Sequence, residues 1–101
     1  MNPQHPAVPA RTFWIRITDD SMTTPENRSF EIGNDVLFDP DREPTPGRFV
    51  LAECGTGRHF GRLARTGDQW QLERLNPAYP PLTIAHLSDI CGVATMSGHS
   101  V

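Results

Sequence analysis

The stretch Phe49-Val50-Leu51-Ala52-Glu53-Cys54-Gly55-Thr56-Gly57-Arg58-His59-Phe60-Gly61-Arg62-Leu63-Ala64 decides the fold. Its first four residues are a short apolar run. Gly55-Thr56-Gly57 supplies the glycines on which a hairpin turns, and Arg58 to Ala64 returns as a second strand. Side chains alternate along a strand. Alternation therefore sets His59 opposite to Phe60 and puts Arg62 on the other face from Gly61.

The same punctuation extends outward in both directions. Phe13-Trp14-Ile15-Arg16-Ile17-Thr18 alternates, with Phe13, Ile15 and Ile17 facing one way. Asp35-Val36-Leu37-Phe38 is a short run ended by Asp39-Pro40, and a turn at Pro44-Thr45-Pro46-Gly47 leads into Phe49. Thr66-Gly67-Asp68 turns the chain into Trp70-Gln71-Leu72-Glu73, where Trp70 and Leu72 share the inner face. Asn76-Pro77 and Pro80-Pro81 predict an irregular stretch, and Ile90 to Met96 predicts a buried closing strand. Ten prolines and eight glycines leave no room for a long helix. The fold class is all-β.

A chain of 101 residues supports one modest core. We expect residues 1–11 to be a disordered or extended arm, residues 12–96 the β domain, and residues 97–101 a frayed tail. With three prolines and no apolar core, the arm is no signal peptide. No apolar run approaches bilayer length, so no membrane partner is expected. All nine basic residues are arginine, against twelve acids, for a net charge of -3. That balance argues against direct nucleic-acid binding by this domain. Cys54 and Cys91 are too few for a disulfide framework and fit a reduced, cytoplasmic setting. Cys54-x4-His59 and His86-x4-Cys91 lack the usual zinc spacings, so no metal or other cofactor is expected.

The pieces occur in a distinctive order. Phe13-Trp14-Ile15 leads to Asp20-Ser21-Met22 and Pro25, then Val36-Leu37-Phe38-Asp39-Pro40 and Pro46-Gly47-Arg48-Phe49-Val50. Phe60-Gly61-Arg62-Leu63, Leu75-Asn76-Pro77-Ala78-Tyr79-Pro80 and Ile90-Cys91-Gly92-Val93 follow. From about Phe13 to Met96 this order resembles the C-terminal domain of the LexA family, and most of all the phage lambda-type repressors. Asn76-Pro77-Ala78-Tyr79-Pro80 is the most specific segment.

The resemblance implies a LexA/signal-peptidase-like domain of short, strongly bent strands. It also implies a homodimer that places two N-terminal DNA-binding domains, absent from this chain, on an operator. In self-cleaving members the serine of the Ser-Met pair attacks a linker bond, and that serine corresponds to Ser21. The family activates it with a lysine kept neutral by burial. The lysine's place here is Gly61, and the chain contains no lysine. Arg62 cannot replace it, because a guanidinium stays protonated. Asp19 stands where the family usually has glycine, adding a carboxylate that opposes a developing oxyanion. The family's Ala-Gly or Cys-Gly linker bond is missing too, since the arm contains no glycine. Cys54-Gly55 and Cys91-Gly92 fall at a hairpin edge and within a predicted strand.

These departures predict a pseudo-peptidase acting by association, with a protein antirepressor as its off-switch. The alternative is an active serine peptidase with a non-lysine base. His59 and His86 are the candidates, since His5 and His99 lie in the tails. The simpler expectation makes His59 an exposed surface histidine. Ser21 would then cap a turn or short helix begun at Met22-Thr23-Thr24, with Asp19 and Asp20 solvated. Trp14 is read as either an interface aromatic or an ordinary edge residue. Returning lysine at position 61, beside a cleavable linker, is expected to restore some activity.

Overall fold

The computed structural model describes residues 11–26, 30–55 and 57–98. The expected arm therefore lies outside the described residues except for Arg11, as do residues 99–101 of the tail.

Seven strands form one antiparallel sheet: β1 (Phe13–Arg16), β2 (Asp35–Asp39), β3 (Phe49–Cys54), β4 (Gly57–Thr66), β5 (Gln69–Glu73), β6 (Leu82–Ile84) and β7 (Ile90–Gly98). Their order across the sheet is β1-β2-β7-β3-β4-β5-β6, so the last strand in sequence closes the middle. The fold class is all-β, with a 3₁₀ turn at Leu87–Asp89 the one helical piece among the described residues. No helix among these residues is long and apolar enough to cross a membrane.

The hairpin of β3 and β4 forms as read, pairing Leu51 with Phe60 and Val50 with Gly61. Alternation sends its side chains into two cores. Leu51 and Phe60 join Ile17, Met22, Phe30, Val36 and Phe38 in one. Val50, Ala52 and Leu63 join Leu72, Ile84 and Val93 in the other. Phe60 centres the first core, edge-on to Phe30 at 4.8 Å and to Phe38 at 5.4 Å between ring centroids. Edge-to-face contact suits the ring quadrupole and adds to the area buried.

Register shifts put two bulges in β7. Phe38 pairs with Ala94 while Leu37 pairs with Met96, which leaves Thr95 over. Leu51 pairs with Gly92 while Ala52 pairs with Ile90, which leaves Cys91 over. A bulge bends its strand, and Thr95 meets the break by donating from Oγ1 to the Leu37 carbonyl at 3.3 Å.

Three expectations are corrected. The proline-bounded stretch contains β6, which pairs Leu82 with Leu72 and Ile84 with Trp70. A three-residue strand has too little periodicity to read, and burial of Ile84 against β5 secures it. β7 runs past Met96 through Ser97 and Gly98, held opposite Val36 and Asp35 of β2. The chain after Ser21 makes a turn, closed by Thr23 N–H on the Asp20 carbonyl at 3.1 Å, with no helix for Ser21 to cap.

Candidate functional site

Ser21 lies in the segment between β1 and β2 that covers the first core. Its neighbour Met22 is 1% exposed and anchors the turn. The 74–80 segment clamps this turn from the other side. Asn76 N–H donates to the Ser21 carbonyl at 2.9 Å, and the Asn76 amide donates to the Asp20 carbonyl at 3.0 Å. Leu75 N–H donates to Met22 Sδ at 3.3 Å, and Tyr79 Oη donates to Asp20 Oδ1 at 2.6 Å. Asp20 is thus a bonded anchor as well as an exposed turn residue. The phenol of Tyr79 is raised above its ordinary range, first by this hydrogen bond and then by desolvation and the nearby carboxylates.

Ser21 is 3% exposed. Its hydroxyl donates to Asp19 Oδ1 at 2.7 Å, and its backbone N–H donates to the same oxygen at 3.0 Å. The serine therefore receives a cap rather than providing one. This is the local bond an aspartate makes two residues on, and Asp19 has no positive φ that would call for glycine. Burial pulls the Asp19 carboxyl upward, but both Ser21 bonds and the fields of Arg74 and His59 outweigh it, leaving the group below its ordinary range. At neutral pH Asp19 is a weakly basic carboxylate holding the serine proton. Such a group is poorly matched to general-base work, and its charge beside Oγ opposes an oxyanion.

A cavity of about 140 Å³ opens beside Ser21, and Asp19, His59 and Arg74 line it together with core residues such as Met22 and Phe60. An open trough of about 360 Å³ continues past the same Asp19, His59 and Arg74 to Tyr79 and Pro81. His59 is thus half-buried in the serine's cleft, which corrects the expectation of an exposed surface residue. Arg74 Nη2 donates to His59 Nδ1 at 3.3 Å. A guanidinium only donates, so Nδ1 accepts and the proton of a neutral ring sits on Nε2. His86 is exposed beside the 3₁₀ turn and is not among the residues lining this cleft.

Gly61 pairs with Val50 within the sheet and does not line the cavity. A Cβ built there would lie 2.9 Å from both Leu72 Cβ and the Glu73 carbonyl oxygen. Both obstacles belong to β5 and one is backbone. The space a side chain at 61 needs is filled, so restoring a lysine requires β5 to move. Cys91 is half-buried, and burial is the first cause raising its thiol above the ordinary range. The side chain of Cys54 lies outside what is described. Among the described residues no three His, Cys, Asp or Glu side chains gather as a metal set.

Two features escaped the sequence. Arg74 carries no motif, and only the end of β5 brings it to His59. Asp19 was expected to be solvated, and the signal that could have found it as the Ser21 acceptor is the Asp-x-Ser spacing of a side-chain-to-backbone turn.

Comparison with known proteins agrees with this architecture. The chain is 36% identical over 84 residues to Repressor protein C2 of Salmonella phage P22, which covers 81% of this chain and 39% of that protein. It is 32% identical over 84 residues to the HTH-type transcriptional regulators for conjugative elements R391 of Providencia rettgeri and SXT of Vibrio cholerae, covering 80% of this chain and 39% of each. The chain thus spans well under half the length of these relatives. The family described as Peptidase S24-like matches residues 2–95. On that match, on the relatives and on the all-β architecture, the chain belongs to the Peptidase S24-like family.

Proposed function

We propose that this chain is the self-associating, regulatory part of a phage- or mobile-element-type transcriptional repressor, working in the cytoplasm without cutting itself. The relatives are named as a repressor and as HTH-type regulators, and the chain matches 39% of their length. DNA binding is then the work of another part of the full protein. Pairing of two such domains raises the local concentration of linked DNA-binding units on a symmetric site.

The observation that carries the non-cleaving reading is the Ser21–Asp19 hydrogen bond of 2.7 Å, which ties the hydroxyl to a weak base. Gly61, in the place of the family's lysine, adds support because β5 fills the space around it. Release of repression then falls to a protein antirepressor.

An active peptidase using His59 is the second reading, favoured by one fact: His59 and Ser21 line the same cavity. A fluorogenic peptide with an Ala-Gly bond, incubated from pH 7 to 10, separates the two. We expect no turnover above buffer. Turnover lost in both Ser21→Ala and His59→Gln would overturn the non-cleaving reading. Sedimentation at high concentration tests self-association, and a strictly monomeric chain would overturn that part.

A further inference from the structure

We propose that the Ser21 cleft is a recognition site for a carboxylate carried beside an apolar side chain, as at the C-terminus of a peptide. The proposal rests on the cleft being non-hydrolytic, so that the ligand is held rather than consumed.

Arg74 carries the inference. It stands where the cavity and the trough meet and lines both. Among the described residues its Nη2 meets the His59 ring at 3.3 Å, and its guanidinium lies 5.9 Å over the Tyr79 ring. Its Nε is buried with no hydrogen-bond partner. Among the described residues no carboxylate pairs with Arg74 within 4.0 Å. A buried donor left unsatisfied is costly, and a guanidinium is shaped to receive a carboxylate through two parallel hydrogen bonds. Turning the guanidinium onto an entering carboxylate replaces an imidazole contact with an ion pair of opposite charges.

The surroundings fit that ligand. Arg16 is already neutralised by Asp35 at 3.0 Å. Arg58 also lines the cavity and has no carboxylate within 4.0 Å among the described residues. Arg58 and Arg74 therefore stand against Asp19 alone, a net positive balance. Asp19 receives both Ser21 bonds on Oδ1, which ties part of its charge to the serine turn. Beyond them the cavity wall is apolar, formed by Ile15, Ile17, Met22, Leu51 and Phe60. Its 140 Å³ admits roughly four or five water-sized groups, about an aliphatic side chain.

The test compares acetyl-Gly-Gly-Leu bearing a free carboxylate with the same peptide as its C-terminal amide, titrated into the intact chain at pH 7 by calorimetry and amide-resolved NMR. We expect the acid to bind about tenfold or more tightly than the amide, with shifts at residues around Ser21 and Arg74. Arg74→Met should bring the acid to the amide's affinity, and Arg74→Lys should recover part of the difference. Isocaproate separates the sources: binding equal to the peptide acid assigns a free small carboxylate, and weaker binding assigns a peptide terminus. Acid and amide binding equally, or neither binding at millimolar concentration, would overturn the proposal without recourse to any variant. Peptide recovered shortened would overturn the non-hydrolytic reading instead, which mass spectrometry reports separately.

Discussion

Asp19 Oδ1 accepts both the hydroxyl and the backbone N–H of Ser21, at 2.7 and 3.0 Å, so one carboxylate oxygen fixes the rotamer of the serine and the shape of its turn. The carboxylate that accepts from the hydroxyl also builds the turn presenting it. Changes at either residue should therefore register in stability as well as in reactivity.

Asp19→Asn should be less stable than the parent at neutral pH, and the difference should vanish in acid. The folded carboxyl is held below its ordinary range. Its contribution is present above the unfolded aspartate value, near pH 3.9, and is lost as pH falls through the lowered folded value. Urea denaturation of both proteins from pH 7 down to pH 2 measures it. A difference unchanged by pH would show that the charge on Asp19 is not what matters.

Gly61→Ala should cost roughly 1–3 kcal/mol through overpacking, because the new Cβ meets Leu72 Cβ and the Glu73 carbonyl at 2.9 Å. Leu72→Ala should give no relief in the double variant, because alanine keeps the Cβ that the new methyl meets and the other obstacle is the Glu73 backbone carbonyl. Gly61→Lys should fold poorly and give no self-cleavage when joined to an Ala-Gly linker, contrary to what the sequence alone led us to expect. Gel analysis showing a cleaved linker would reverse this conclusion.

Phe60→Ala should destabilise by about 3–5 kcal/mol, since Phe60 meets Phe30, Phe38 and Phe49 together. Trp14→Ser, at a residue 51% exposed on edge strand β1, should change monomer stability by about 0.5 kcal/mol or less. If Trp14 serves the self-association proposed above, the same substitution should move sedimentation toward the monomer. An unchanged profile would leave Trp14 as an ordinary edge residue.

Tyr79 should titrate above the ordinary phenol range, and Asp20→Asn should bring it back down. Its pKa is raised chiefly by the hydrogen bond to Asp20. A group raised on folding contributes stability below its unfolded value, which is lost as pH climbs through the folded value. Absorbance at 295 nm from pH 8 to 12 follows the transition, and identical curves for the two proteins would remove Asp20 as its cause.

Much of the fold was legible because alternation and turn residues act locally. Phe49–Cys54 and Gly57–Thr66 form the hairpin that their glycines and apolar periods describe. β6 was not legible, because three residues after Pro80-Pro81 carry no period and gain their strand from β5 alone. At the site, the Asp19-x-Ser21 spacing could be read along the chain. The approach of Arg74 to His59, fifteen residues away, could not.

By itself the sequence determined that these 101 residues contain no lysine and that glycine occupies position 61. It determined the alternation that puts His59 and Phe60 on opposite faces. Only the tertiary structure decided what surrounds them. β5 fills the space at Gly61, the 74–80 segment braces the Ser21 turn, and Arg74 reaches the cleft. The physical reason is that these contacts depend on sheet register and on strand ends meeting across long sequence separations, whereas periodicity and turn chemistry report only neighbours along the chain.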